Sequence, residues 1–140
     1  MTKILIIEAR FYDHIGDMLL SGAKAYLKQK DIESDVISLP GALEIPSALS
    51  FAAQSSEYDG FVVLGCVIRG ETAHYDIVVN ESARGVYSVA LANDLAVGNG
   101  ILTVENEDQA IARADPSQKN KGKDAAEAAL KLIEVKKQYA

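Results

Sequence analysis

Between a short apolar run, Phe61-Val62-Val63-Leu64, and a long helical pattern lies Gly65-Cys66-Val67-Ile68-Arg69-Gly70-Glu71-Thr72-Ala73-His74-Tyr75-Asp76. Glycines, an arginine, a threonine and one of the chain's two histidines thus stand where a strand hands over to a helix. In parallel α/β sheets that turn is where ligands bind. The first N–H groups of the helix lack backbone partners and carry the positive end of the dipole, so they suit an anion. His74 falls in the first helical turn, where an imidazole can move protons near neutral pH; a lone histidine there is more often structural. Thr72 serves either as a helix cap or as a donor to phosphate. Glu71 fits an anion site only if its backbone N–H faces the site and its carboxylate turns away.

Two further turns follow buried runs. Ala9-Arg10-Phe11-Tyr12 places an aromatic pair just past the first strand. Phe11 there can stack on a planar ring or simply close the edge of the core. Leu39-Pro40-Gly41-Ala42-Leu43-Glu44-Ile45-Pro46 bends at Pro-Gly and leaves the backbone groups of Ala42 open to a ligand. Glu44 reads either as an acceptor for hydroxyls or as a favourable acid in a first helical turn.

Several chemistries find no support. Cys66 is the sole cysteine, which rules out an internal disulfide and reads as a small buried apolar residue. No second Cys or His stands at metal-ligand spacing, so no metal site is expected. There is no glycine-lysine phosphate loop and no G-x-G-x-x-G after the first strand. A phosphoacceptor domain would end its third strand in an aspartate, where this chain has Cys66 and Arg69. The net charge of -6 and the absence of a basic patch argue against nucleic acid. No apolar run approaches the roughly 20 residues that span a bilayer. Met1-Thr2-Lys3 runs straight into a strand, so no signal peptide and a cytoplasmic setting are expected.

These turns must be held by a regular frame, and the pattern supplies one. Ile4-Leu5-Ile6-Ile7 reads as a strand buried on both faces. Helices are predicted over 13–30, 44–55, 75–93, 106–114 and 123–138, with further strands over 34–39, 59–67 and 101–104. Asp115 to Gly122 reads as a turn between two helices. Alternation of this kind implies an α/β fold, a three-layer αβα sandwich with a flavodoxin-like four-stranded parallel sheet in order 2-1-3-4. With 140 residues and no linker or repeat, residues 1–140 are expected to form one domain.

Taken in order and spacing, the three turns resemble those of the lumazine synthase family. The resemblance rests on Ala9-Arg10-Phe11, Pro40-Gly41-Ala42-x-Glu44-Ile45-Pro46 and Gly65-x-Val67-Ile68-Arg69-Gly70-x-Thr72-x-His74-Tyr75-Asp76. It continues through Ile101-Leu102-Thr103, Gln109-Ala110-x-x-Arg113-Ala114 and Asn120-Lys121-Gly122. It implies condensation of 5-amino-6-(D-ribitylamino)uracil with 3,4-dihydroxy-2-butanone 4-phosphate, in riboflavin biosynthesis, without cofactor or metal. It further implies that Phe11 stacks on the pyrimidine and that Ala42, Leu43 and Glu44 hold the ribityl chain. Backbone groups around Val67 and Ile68 would read the ring edge. Glu71 (through its backbone) and Thr72 would bind phosphate, joined by Arg113 from an adjacent subunit, and His74 would shuttle protons. Asn99 falls where the family often has an aromatic under a neighbouring subunit, and Tyr12 where it often has Asn. Ser117 and Lys119 also depart from the family's usual lysine and glycine.

The resemblance implies a homo-oligomer built on a pentameric ring, which some members pack into a 60-subunit capsid. The short N-terminus and the altered Ser117-Gln118-Lys119 loop favour an isolated pentamer, with a decamer or the capsid as alternatives. Two other readings compete: a noncatalytic flavin- or lumazine-binding paralogue, and a flavodoxin-like electron carrier.

Overall fold

Ile4-Leu5-Ile6-Ile7 has no polar position to turn toward water, and β1 (Lys3–Ala9), the strand containing it, lies inside the sheet with both faces covered. The computed structural model describes residues 1–140. β1 is followed by α1 (Asp13–Gln29), β2 (Glu33–Leu39), a 3-10 turn (Ala42–Glu44) and α2 (Ile45–Ala53). The second half comprises β3 (Gly60–Ile68), α3 (His74–Ala92), β4 (Val97–Val104), α4 (Glu107–Ala114) and α5 (Lys121–Gln138). All strand pairs are parallel and the order is β2-β1-β3-β4, the topology expected from the alternating pattern.

Period-two alternation divides the strands between two cores. Ile4, Ile6, Val62 and Leu64 face Leu19 and Leu27 of α1 and Ala126 and Ile133 of α5. Leu5, Ile7, Phe61 and Val63 face Ile45 and Leu49 of α2 and Val86 of α3. Each such Ile or Leu contributes about 1.5–3 kcal/mol by leaving water.

Three departures from the sequence reading stand out. β4 begins at Val97, not at residue 101. Gly98, Asn99 and Gly100 have little strand propensity, but α5 packs so close that Gly98 and Gly100 must stay small. A Cβ at Gly98 would run into the Ala125 carbonyl of α5, so helix and sheet touch backbone to backbone there. Gly98→Ala is therefore expected to destabilise the fold by about 2 kcal/mol, since backbone cannot swing aside as a side chain can. A urea unfolding midpoint equal to that of the parent would refute that packing. The second difference is a 3-10 turn before α2, which starts at Ile45 with Pro46 in its first turn. The third is α5, which starts at Lys121 behind Asn120, a residue held in left-handed backbone at φ 49°. Asn106 caps α4 as expected, its Oδ1 accepting the Gln109 N–H at 2.9 Å.

Candidate active site

The order β2-β1-β3-β4 means that the chain leaves β1 toward one edge and returns on its other side at β3. The two crossovers part at the C-terminal ends of β1 and β3, and a crevice opens there. It is a cavity of about 420 Å³, within the size range of small-molecule sites. The ends of β1 and β3, the segment after β2 and the start of α3 form its walls.

The β1–α1 turn supplies Phe11, 72% exposed despite being aromatic. Its ring meets Tyr12 edge to face, with centroids 4.9 Å apart and planes at 76°. Beneath this turn Glu8 is buried. Its Oε2 accepts from Arg10 Nε at 3.0 Å and from Ser38 Oγ at 2.5 Å. Arg10 also reaches Asp17 at 2.6 Å, and these two carboxylates hold its guanidinium firmly protonated. A buried carboxylate paired in this way costs a great deal to unpair, so the turn that presents Phe11 is anchored.

The segment after β2 presents Ala42, buried, with Leu43 and Glu44, both exposed at the cavity. Gly41 is extended at φ -155° and needs no glycine for its conformation. A Cβ there would lie 3.1 Å from Glu44 Oε1, so the missing side chain leaves room for that carboxylate.

Val67 and Ile68 end β3 in register with Thr103 and Val104, half-buried at the cavity wall. Gly70, Thr72 and His74 line the next stretch. The N–H groups of Gly70, Glu71, Thr72 and Ala73 find no acceptor within the chain. Four such donors ahead of a 19-residue helix form a concavity that attracts anions. Thr72 is not the capping residue. Ala73 holds that position, and Thr72 Oγ1 instead accepts the His74 N–H at 3.3 Å. His74 is the first residue of α3, one earlier than the periodicity predicts. It is exposed, and its ring takes no partner from the chain.

The structure thus gathers Phe11, Ala42, Leu43, Glu44, Val67, Ile68, Thr72 and His74 around one cavity. Glu71 lies in the same loop, exposed, without forming wall. Asn99 and Arg113 stand apart from this cavity. Asn99 Oδ1 accepts the Ile101 N–H at 2.9 Å, and its Nδ2 lies 3.5 Å from the Tyr87 hydroxyl. Arg113 is half-buried on α4, with one guanidinium nitrogen donating to the Gln109 carbonyl at 3.1 Å.

Residue-type reasoning missed three walls. Cys66 is not a fully buried filler: it is half-buried and lines the cavity. Burial pushes its thiol up to about 11, which keeps it protonated and unreactive at neutral pH. Tyr75 and Val78 also line the cavity, from the first turns of α3. Tyr75 directly follows His74 in the motif, and that adjacency was the available signal.

An α/β sandwich with a cavity at the reversal of its strand order, walled by an exposed aromatic and a row of free N–H groups, belongs to the ligand-binding proteins built on doubly wound sheets. Its particular family follows from comparison with known proteins. Residues 1–137 match the family model of 6,7-dimethyl-8-ribityllumazine synthase. The chain is 57% identical, over 100% of both chains, to 6,7-dimethyl-8-ribityllumazine synthases of Novosphingobium aromaticivorans and Zymomonas mobilis. It is 54% identical over 138 residues to that of Bartonella henselae, covering 97% of this chain and 89% of the relative. The chain belongs to the 6,7-dimethyl-8-ribityllumazine synthase family.

Proposed function

We propose that this chain is a transferase that condenses 5-amino-6-(D-ribitylamino)uracil with 3,4-dihydroxy-2-butanone 4-phosphate. The products are 6,7-dimethyl-8-ribityllumazine, phosphate and water, at the penultimate step of riboflavin biosynthesis. The observation that carries this reading is the single cavity joining an exposed aromatic, the Ala42–Glu44 turn and the free N–H groups ahead of His74. These suit, in turn, a planar ring, a polyhydroxy chain and a phosphate.

In this scheme the pyrimidine amine attacks the ketone and water leaves, giving an imine. Loss of the proton beside the imine expels phosphate and leaves an enol, which tautomerises to a new ketone at the carbon that bore the hydroxyl; the ribitylamino nitrogen closes the second ring on that ketone with loss of a second water. Each step moves a proton, and His74 at the cavity wall is the group that carries it. Charge accumulates on the departing phosphate, where oriented N–H groups and the Arg113 guanidinium of an adjacent subunit would stabilise it. The rest of catalysis is positioning. No metal or cofactor enters the scheme.

Purified protein mixed with both substrates should generate the fluorescent lumazine, and no fluorescence would refute the reading. A noncatalytic lumazine-binding paralogue would bind the product without turnover. His74 in the wall favours the enzyme, since a binder has no use for a proton carrier.

Phe11 is assigned the pyrimidine stack. Phe11→Ala should weaken a ribityl-pyrimidine inhibitor by about 1–2 kcal/mol, the scale of an aromatic contact and its area, while Phe11→Tyr is nearly neutral. Equal calorimetric affinities for Phe11→Ala and the parent would remove Phe11 from the site.

With Arg113 and Asn99 away from the chain's own cavity, a shared site and a ring assembly account for their assigned roles. Exposed Ile77, Tyr87 and Leu91 on α3, together with Phe51 on α2, provide apolar surface for it. One heterologous interface used five times closes a ring. Five chains of 15.0 kDa give about 75 kDa by light scattering. An active 15.0 kDa monomer would overturn both the ring and the shared site. A cytoplasmic location fits the reaction's soluble substrates.

A further inference from the structure

Arg69 stands directly between β3 and the turn with the free N–H groups, and by type and place it reads as a phosphate ligand. Its side chain is engaged elsewhere. Nε donates to Glu105 Oε2 at 2.6 Å, and a terminal nitrogen lies 3.7 Å from Asp76 Oδ1. The guanidinium carbon sits 4.2 Å from the centre of the Tyr75 ring. Its backbone N–H donates to the Val104 carbonyl at 3.0 Å, carrying the β3–β4 ladder one residue past β3. One residue therefore ties together the end of β3, the first turn of α3 and the loop that opens α4. The first turn of α3 carries His74, and Tyr75 forms part of the cavity wall.

From these contacts we infer that Arg69, anchored by Glu105, is a positioning residue that holds Tyr75 against the cavity and fixes where His74 and the free N–H groups stand. Its kinetic consequence rests on the proposed synthase reaction; its effect on the Tyr75 ring does not. Glu105 already takes Nε and Asp76 lies beside a terminal nitrogen, so two carboxylates flank the guanidinium and oppose an incoming phosphate by charge. Arg can offer its edge to a carboxylate and its flat face to a ring at once, whereas Lys has neither fork nor face. The Arg69–Glu105 pair is half-exposed, with side-chain accessibilities of 44% and 56%, so it adds little to folding stability. Position and stability are thereby separable: without the clasp the fold stands, but the turn that carries the proton donor is loose.

The test uses the full chain and four variants: Arg69→Ala, Arg69→Lys, Glu105→Gln, and the Arg69→Ala/Glu105→Gln double. kcat should fall roughly ten- to a hundredfold in Arg69→Ala, the cost of an ångström-scale misplacement. Arg69→Lys and Glu105→Gln should approach that loss, and the double variant should be no worse than Arg69→Ala, because the two residues act as a unit. The inhibition constant of inorganic phosphate should change by less than about threefold, and Tm by less than about 5 °C. In substrate-free protein labelled with 13C-tyrosine, the Tyr75 ring signal should move in every variant. A phosphate inhibition constant raised tenfold or more in Arg69→Ala but unchanged or lowered in Glu105→Gln would make Arg69 a phosphate ligand and overturn the inference. So would an unmoved Tyr75 signal in Arg69→Ala. A parent protein without synthase turnover would overturn the proposed reaction instead, and the Tyr75 signal would then decide the clasp alone.

Discussion

His74→Ala is expected to lower kcat by roughly ten- to a thousandfold, the span of a single general acid–base group, with the low end set by substrates that partly react unaided. The expectation rests on placement. His74 opens α3, its ring is free of partners in the chain, and it lines the same cavity as Phe11 and the Ala42–Glu44 turn. KM for both substrates should change far less than kcat, because the proton is moved after they are bound. Folding should survive, since the side chain is exposed and supports no core residue. Single-turnover fluorescence of the lumazine is the direct measurement. Unchanged kcat would move the proton transfers to water or to the substrates' own phosphate.

Arg113→Lys is expected to raise KM for 3,4-dihydroxy-2-butanone 4-phosphate by about tenfold or more, with a much smaller effect on the pyrimidine. A guanidinium offers two parallel donors to phosphate, and an ammonium offers a point charge. Within its own chain Arg113 spends one nitrogen on the Gln109 carbonyl, and its remaining donors are available to a neighbour. Equal KM changes for both substrates would assign Arg113 to holding α4 instead.

The layered fold was legible because the apolar runs are unambiguous. Ile4-Leu5-Ile6-Ile7 and Phe61-Val62-Val63-Leu64 admit little besides buried strands, and the intervening periods of 3.6 leave only parallel crossovers. The start of β4 was hidden because Gly98 and Gly100 answer to α5, a contact made by residues far along the chain. Cys66 was misread because alternation tells which face a residue takes but not where the helices stop covering that face. Glu8 is a paired, buried carboxylate whose partner Ser38 belongs to another strand, a link no local pattern carries. The turns made Phe11 and His74 candidates without deciding between a ligand and a structural role; the cavity that both line forms only in the fold. The occupation of Arg69 by Glu105 was not, since nothing local couples the two.

The position of β1 has a kinetic consequence. It leaves the ribosome before β2 and β3, yet it is an interior strand whose second neighbour is β3, with Ile4 paired to Gly60. Until Gly60–Ile68 has been synthesised, one edge of β1 has no template, and the apolar faces of β1 lack part of their cover. Pairings between strands so distant in sequence must close long loops before they gain stability, which makes folding slow and leaves sticky intermediates behind. The nascent chain therefore passes a vulnerable interval while β1 and β2 stand as an incomplete sheet, and the arrival of β3 ends it.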